Sequence, residues 1–127
     1  MQDQLLYEYA VIRVVPRVER EEFINAGVIL YCARPAFLQC LYSIDEEKLE
    51  FFCDTECLAE LTDHLRAFEM ICAGKPESGP IGKLPPAERF RWLTATRSTM
   101  LQTSKVHPGL CAEPSAMLTQ LFNQLVL

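Results

Sequence analysis

The segment YEYAVIRVVPRVEREEFINAGVILYCA, residues 7–33, holds two apolar runs separated by a charged connector. The first run, residues 7–15, is rich in aromatic and β-branched side chains and is stopped by Pro16, the composition of a β-strand. Strict alternation puts Arg13 on the face shared by Tyr7, Tyr9, Val11 and Val15. This one charge therefore sits either at the wet end of the strand or against a partner. The second run, residues 23–33, is nearly continuous in apolarity, as expected of a central strand covered on both faces. Asn25 and Gly27 interrupt it. A glycine within a strand marks a bulge or a close backbone approach, and the asparagine beside it either satisfies itself locally or caps a ligand.

Working outward, Arg34 and Pro35 make a turn and residues 37–43 give a third strand, so the first third reads as an antiparallel meander. Helical territory begins at Asp45. Asp54 or Thr55 is suited to an N-cap, and Leu58, Leu61, Leu65, Phe68 and Cys72 fall on one side of a helix that Gly74 can end. Residues 74–86 carry three glycines and four prolines and read as a long loop. Residues 90–95 and 100–103 look like two further short strands, with a turn or bulge around residues 96–98 where the apolar parity flips. Pro114 suits the first turn of a closing helix whose Leu118, Leu121, Phe122 and Leu125 face the core. Three strands, a helix, two strands and a helix make a segregated order. It predicts a single α+β domain spanning residues 1–127, with an antiparallel sheet of about five strands covered on one face by two main helices.

A chain of 127 residues, half of them apolar, buries a core without metals or disulfides. No apolar run approaches the roughly 20 residues that cross a bilayer, and the first residues lack the pattern of an export signal. The expectation is a soluble, cytoplasmic protein without a membrane partner. Six cysteines, at positions 32, 40, 53, 57, 72 and 111, show no two-residue pairing and read as reduced, mostly buried hydrophobes. The net charge of −5 argues against general nucleic-acid affinity. Its distribution is uneven: residues 45–69 hold nine acids against Lys48 and Arg66, whereas residues 75–111 hold six bases against Glu77 and Glu88. Such two-sidedness bears on association.

The basic segment RFRWLTATRSTMLQTSKVHPG, residues 89–109, concentrates cations and hydroxyls. Arg97, Ser98 and Thr99 occupy the expected turn, where a guanidinium, hydroxyls and backbone N–H groups hold a carboxylate or phosphate. Gln102, Ser104 and His107 follow. The bland alternative is structural: Arg13 or Arg97 paired with Glu21 or Glu22, and His107 hydrogen-bonded in a turn. A serine hydrolase is disfavoured because no nucleophile elbow surrounds Ser98 or Ser104. Cys53, Cys57, Glu60 and His64 recur at spacings that line one side of a helix, but one helix rarely converges four zinc ligands, so a core-edge stripe is the better reading. No dinucleotide or P-loop signature occurs, and neither a metal nor a cofactor is expected.

The blocks YEYAVIRVVP, EEFINAGVILY and RFRWLTATRSTMLQTSKVHPGL, with the closing AMLTQLFNQLV, together resemble the bacterial family known as domain of unknown function 3037, over nearly the whole chain. Two departures are Glu21, where the family often has glycine, and Thr96, where it usually has proline. The resemblance implies no defined chemistry. By association it implies a protein partner, a HipA-like kinase among the candidates. The residues support a small adaptor or regulatory protein whose polar, anion-accepting surface comprises Arg13, Asn25, Arg97, Ser98, Thr99, Gln102 and His107. A competing reading is an enzyme acting on a small anionic substrate, with Arg97 as clamp and His107 as general acid or base. A third is a nucleic-acid-associated module. The strand at residues 7–15 and the closing helix are both open to pairing as a homo-oligomer.

Overall fold

The computed structural model describes residues 4–15, 22–50, 53–95 and 100–127. Among these, β1 (Leu5–Val14), β2 (Ile24–Cys32) and β3 (Phe37–Tyr42) form the expected antiparallel meander. The helices α1 (Glu46–Glu50), α2 (Thr55–Ala73) and α3 (Pro86–Leu93) follow. Two short strands, β4 (Leu101–Thr103) and β5 (His107–Cys111), and the helix α4 (Pro114–Leu125) complete the order. Both β4 and β5 lie antiparallel to β1 on the edge opposite β2. They behave as one broken strand, so the sheet runs β3, β2, β1 and then β4 with β5. The fold class is α+β with five antiparallel strands, as the segregated element order implies.

The break in that outer strand sits at Ser104. Register passes from Ile12 opposite Thr103 to Tyr9 opposite His107, one residue out of step. Ser104 is buried there, and its hydroxyl accepts from the Val11 N–H at 2.8 Å and donates to the Lys105 carbonyl at 2.9 Å. Its own N–H donates to the Val11 carbonyl at 2.8 Å. A side-chain oxygen thus supplies the acceptor that the irregular ladder does not provide, as buried backbone donors require.

The β1–β2 register also shifts, between Ile12 and Arg13. Ile12 faces Gly27 whereas Arg13 faces Asn25, which leaves Ala26 as the extra residue of a bulge. Gly27 is needed for a close backbone approach: a Cβ there would run into the Leu41 carbonyl and lie 2.8 Å from Tyr42 Cβ.

Alternation sorts the side chains onto two buried faces. Ala10, Ile12, Val14, Ala26, Ile29 and Leu38 pack under α2 and α3, with Leu61, Leu65, Phe68, Phe90 and Leu93. Tyr7, Val28, Leu30, Cys32 and Cys111 pack under α4, with Leu118 and Leu121. Helices therefore cover both faces, which corrects the expectation of one. That is why the second run is apolar almost throughout.

The long helix has the termini its sequence specifies. Asp54 accepts from the Cys57 N–H at 2.8 Å, and Gly74 adopts φ 69°, with its N–H donated to Ile71 and that of Lys75 to Met70. The last turn of α2 carries no basic residue of its own. The Arg89 guanidinium from α3 lies against Gly74 and places a cation at that end instead.

Two elements differ from the sequence reading. The strand expected at residues 90–95 is the second half of α3, begun by Pro86 in its first turn, with Phe90 and Leu93 buried at helical spacing. His107, expected in a turn, begins β5 opposite Tyr9, and its ring stands 5.4 Å from that of Tyr9, centroid to centroid. Gly109 in the same strand lies under the Tyr7 ring, where a Cβ would collide.

Not all the cysteines are reduced. Cys53 and Cys57 form a disulfide with Cα atoms 5.3 Å apart. Cys53 precedes the Asp54 cap and so lies off the helix, which brings it within bridging range of the first turn. The other four are free, with Cys32, Cys72 and Cys111 buried.

Candidate functional site

Three of the proposed site residues come together. Arg13 in β1 pairs with Asn25 of β2 on one side and Gln102 of β4 on the other, so the three occupy one cross-strand row. The row lies on the face that α4 covers, since alternation places Arg13 with Tyr7 and Tyr9. The Arg13 guanidinium stands 4.2 Å from the centre of the Phe23 ring, a cation–π contact. Among the described residues no carboxylate pairs with it. Its Nε is buried without a hydrogen-bond partner.

Asn25 is tied to the closing helix, because its amide Nδ2 donates to the Leu125 carbonyl at 3.1 Å. Its Oδ1 is buried and unpartnered. An unsatisfied donor and an unsatisfied acceptor thus sit on neighbouring strands in a single row. Buried polar groups without partners are uncommon, and each calls for an explanation. A guanidinium placed over an aromatic ring keeps the fork of donors that suits planar anions.

His107 is not part of this row. It shares the face, but its partner Tyr9 is four residues from Arg13, about 13 Å along an extended strand. Arg97, Ser98 and Thr99 lie outside the described residues, as do Glu21 and Thr96. Met100, the first described residue after position 99, accepts at its carbonyl from the Val15 N–H at 2.6 Å. Ser104, weighed as a nucleophile, is instead the buried hydrogen-bonding residue of the strand break.

A cleft of about 610 Å³ borders the row at Asn25, between the start of β2, α1 and the residues that follow α4. Asp45, Glu46, Glu47 and Lys48 line it, and neither Arg13 nor His107 does. His107, the acid–base residue of the enzyme reading, is therefore not at this cleft, and Arg97, its clamp, lies outside the described residues. The stripe weighed as a zinc site is not assembled either. Two of its sulfurs are bonded to each other, and His64 Nε2 stands 3.7 Å from Glu60 Oε1 at the surface. Among the described residues no three potential ligands converge.

Sequence reasoning missed Phe23, which supplies the stacking surface. Its signal was the aromatic residue that opens the second apolar run, left 51% exposed in the fold.

The molecule is thus an α+β sheet domain, covered by helices on both faces, with one cationic row built across three strands. The model of the family described as "Protein of unknown function (DUF3037)" matches residues 9–126, and the chain belongs to that family. No curated protein and no solved structure matches it. Among the described residues no helix is long and apolar enough to cross a membrane.

Proposed function

We propose that the chain is a small cytoplasmic partner-binding protein whose contact surface is centred on the Asn25–Arg13–Gln102 row. Its ligand is an anionic group, a carboxylate or phosphate, carried on another protein. The observation that carries this reading is the Arg13 guanidinium. It is held on Phe23, has no carboxylate partner among the described residues, and is flanked on both sides by amide side chains. Arg97, Ser98 and Thr99 extend the surface in this reading, and His107 marks its far limit. A HipA-like kinase is a candidate partner through family association alone.

The test is affinity purification of the tagged chain from the cells that express it, beside Arg13→Gln and Arg97→Ala forms shown by circular dichroism to be folded. A stoichiometric partner held by the parent and lost from both variants supports the reading. A partner held equally by all three forms defeats it. If no form retains a protein, the surface belongs to a small anion, and thermal shift with inorganic phosphate on parent and Arg13→Gln forms decides that case.

A further inference from the structure

The bond between Cys53 and Cys57 lies at the start of α2, where its two sulfurs are carried by different kinds of backbone. Cys53 precedes the Asp54 cap, outside the helix, and packs against the rim of the core under α2 and α3. Cys57 belongs to the first helical turn, and its N–H is held by the Asp54 carboxylate at 2.8 Å. Both cysteines are partly exposed, and Asp54, Thr55 and Glu56 between them are exposed. The bond thus lies at the protein surface.

A structural brace would be placed otherwise. The stabilisation that a disulfide gives grows with the length of chain it closes, and this one joins residues only four apart. The same stretch is already fixed by the cap, since the Asp54 carbonyl also accepts from the Leu58 N–H at 2.9 Å. Exposed disulfides are the exchangeable ones, and the end of a helix is where local opening costs least. The other cysteines contrast with this pair: all four are unbonded, and Cys32, Cys72 and Cys111 are buried.

We propose that Cys53 and Cys57 form a thiol-exchange site, cut and remade by small thiol–disulfide couples of the glutathione type while the rest of the fold stays in place. In the reducing direction, a thiolate of the small thiol attacks one sulfur of the pair. The protein S–S bond breaks as a mixed S–S bond forms, and the other protein sulfur leaves as a thiolate and takes up a proton. A second small thiolate then attacks the small-molecule sulfur of the mixed disulfide. The remaining protein sulfur leaves and is protonated, so two electrons and two protons pass to the protein, and the small thiols depart as their own disulfide. Oxidation runs the same steps backwards. Asp54 caps α2 with its own carboxylate in either state, so the helix does not depend on the bond.

The experiment equilibrates the folded, full-length protein with glutathione buffers from fully oxidised to fully reduced, quenches in acid, alkylates free thiols in denaturant and maps peptides by mass spectrometry. The expected result is a Cys53–Cys57 bond at the oxidised end and two alkylated cysteines at the reduced end. The change should be reversible and leave the circular dichroism unaltered, with Cys32, Cys72 and Cys111 alkylated throughout. Cys57→Ser isolates the intermediate, because its lone Cys53 should carry glutathione in the oxidised buffer. A bond that resists reduced glutathione in the folded protein and yields only in denaturant is a brace, and overturns the proposal. So does a pair that remains two thiols, or becomes two separate mixed disulfides, in oxidised glutathione. A lone Cys53 left unmodified in the folded variant removes the mixed-disulfide step and overturns it as well. The wild-type titration decides the matter should the variant not fold.

Discussion

Replacing Ser104 with alanine removes one oxygen from the interior and should have a large effect for so small a change. That oxygen accepts from the Val11 N–H at 2.8 Å and donates to the Lys105 carbonyl at 2.9 Å, at a residue only 6% exposed. The alanine methyl fits the space, so no clash contributes. What remains is the Val11 N–H, buried in the central strand with no acceptor, which costs about 1–3 kcal/mol. Losing the bond to Lys105 adds less, because a carbonyl at the sheet edge finds water. An overall destabilisation of about 2 kcal/mol is expected, or on the order of 6–10 °C in Tm for a domain of this size. Urea unfolding measures the first quantity directly. Amide hydrogen exchange localises it, since Val11 should exchange roughly 10–100-fold faster, in proportion to the lost free energy, while Ile29 in β2 changes only with global stability. A variant within 0.5 kcal/mol of the parent, with Val11 protected as before, would refute the account of the strand break.

Gly27→Ala should be more damaging, because the new methyl meets the Leu41 carbonyl and the Tyr42 backbone, which cannot swing aside as a side chain can. A loss of about 3 kcal/mol or more is expected by chemical denaturation, and near-neutrality would mean that β3 is not held at this spacing. Alkaline pH provides a further test. The hydrogen bond to Cys40, then burial, raises the Cys72 thiol, and burial raises Cys32 and Cys111, above the ordinary thiol value of 9.0. Below that value both folded and unfolded chains hold these protons, so their stabilising contribution is fully present. Above it the unfolded chain releases them first, and stability should fall by up to about 1.4 kcal/mol per pH unit for each thiol still neutral in the fold. Urea unfolding between pH 8 and 10 under anaerobic conditions should show this decline, and a flat profile removes the assignment of these thiols to the interior.

The elements legible from sequence were those with local punctuation. Asp54 and Gly74 announce the two ends of α2 because capping depends on residues within one turn. The strand expected at residues 90–95 failed for the opposite reason: an apolar run of that length fits either period, and what settled it was Pro86 at a helix start together with the burial of Phe90 and Leu93 three apart. β5 was hidden by Pro108 and Gly109, which read as turn chemistry. Proline is tolerated there because β5 is an edge strand, and glycine is required because the Tyr7 ring lies on it. Arg13, Asn25 and Gln102 were placed on one expected surface with Arg97, Ser98, Thr99 and His107, without the row that the strands make of the three. Their meeting depends on a register between strands some 90 residues apart in sequence, and nothing local encodes that.

The two partners of β1 reach it at very different times during synthesis. β2 and β3 can pair as soon as Tyr42 has emerged, but the bond from Val11 to Ser104 spans 93 residues. Between Tyr42 and Leu101 the ribosome adds roughly 60 residues, which takes about 3–12 s at typical elongation rates. Throughout that interval the outer edge of the longest strand presents bare N–H and C=O groups, the form in which strands add to neighbouring chains. Nascent chains stalled before residue 101 should therefore be the aggregation-prone species of this protein, and its late-made outer strand serves as a protective seal on the sheet.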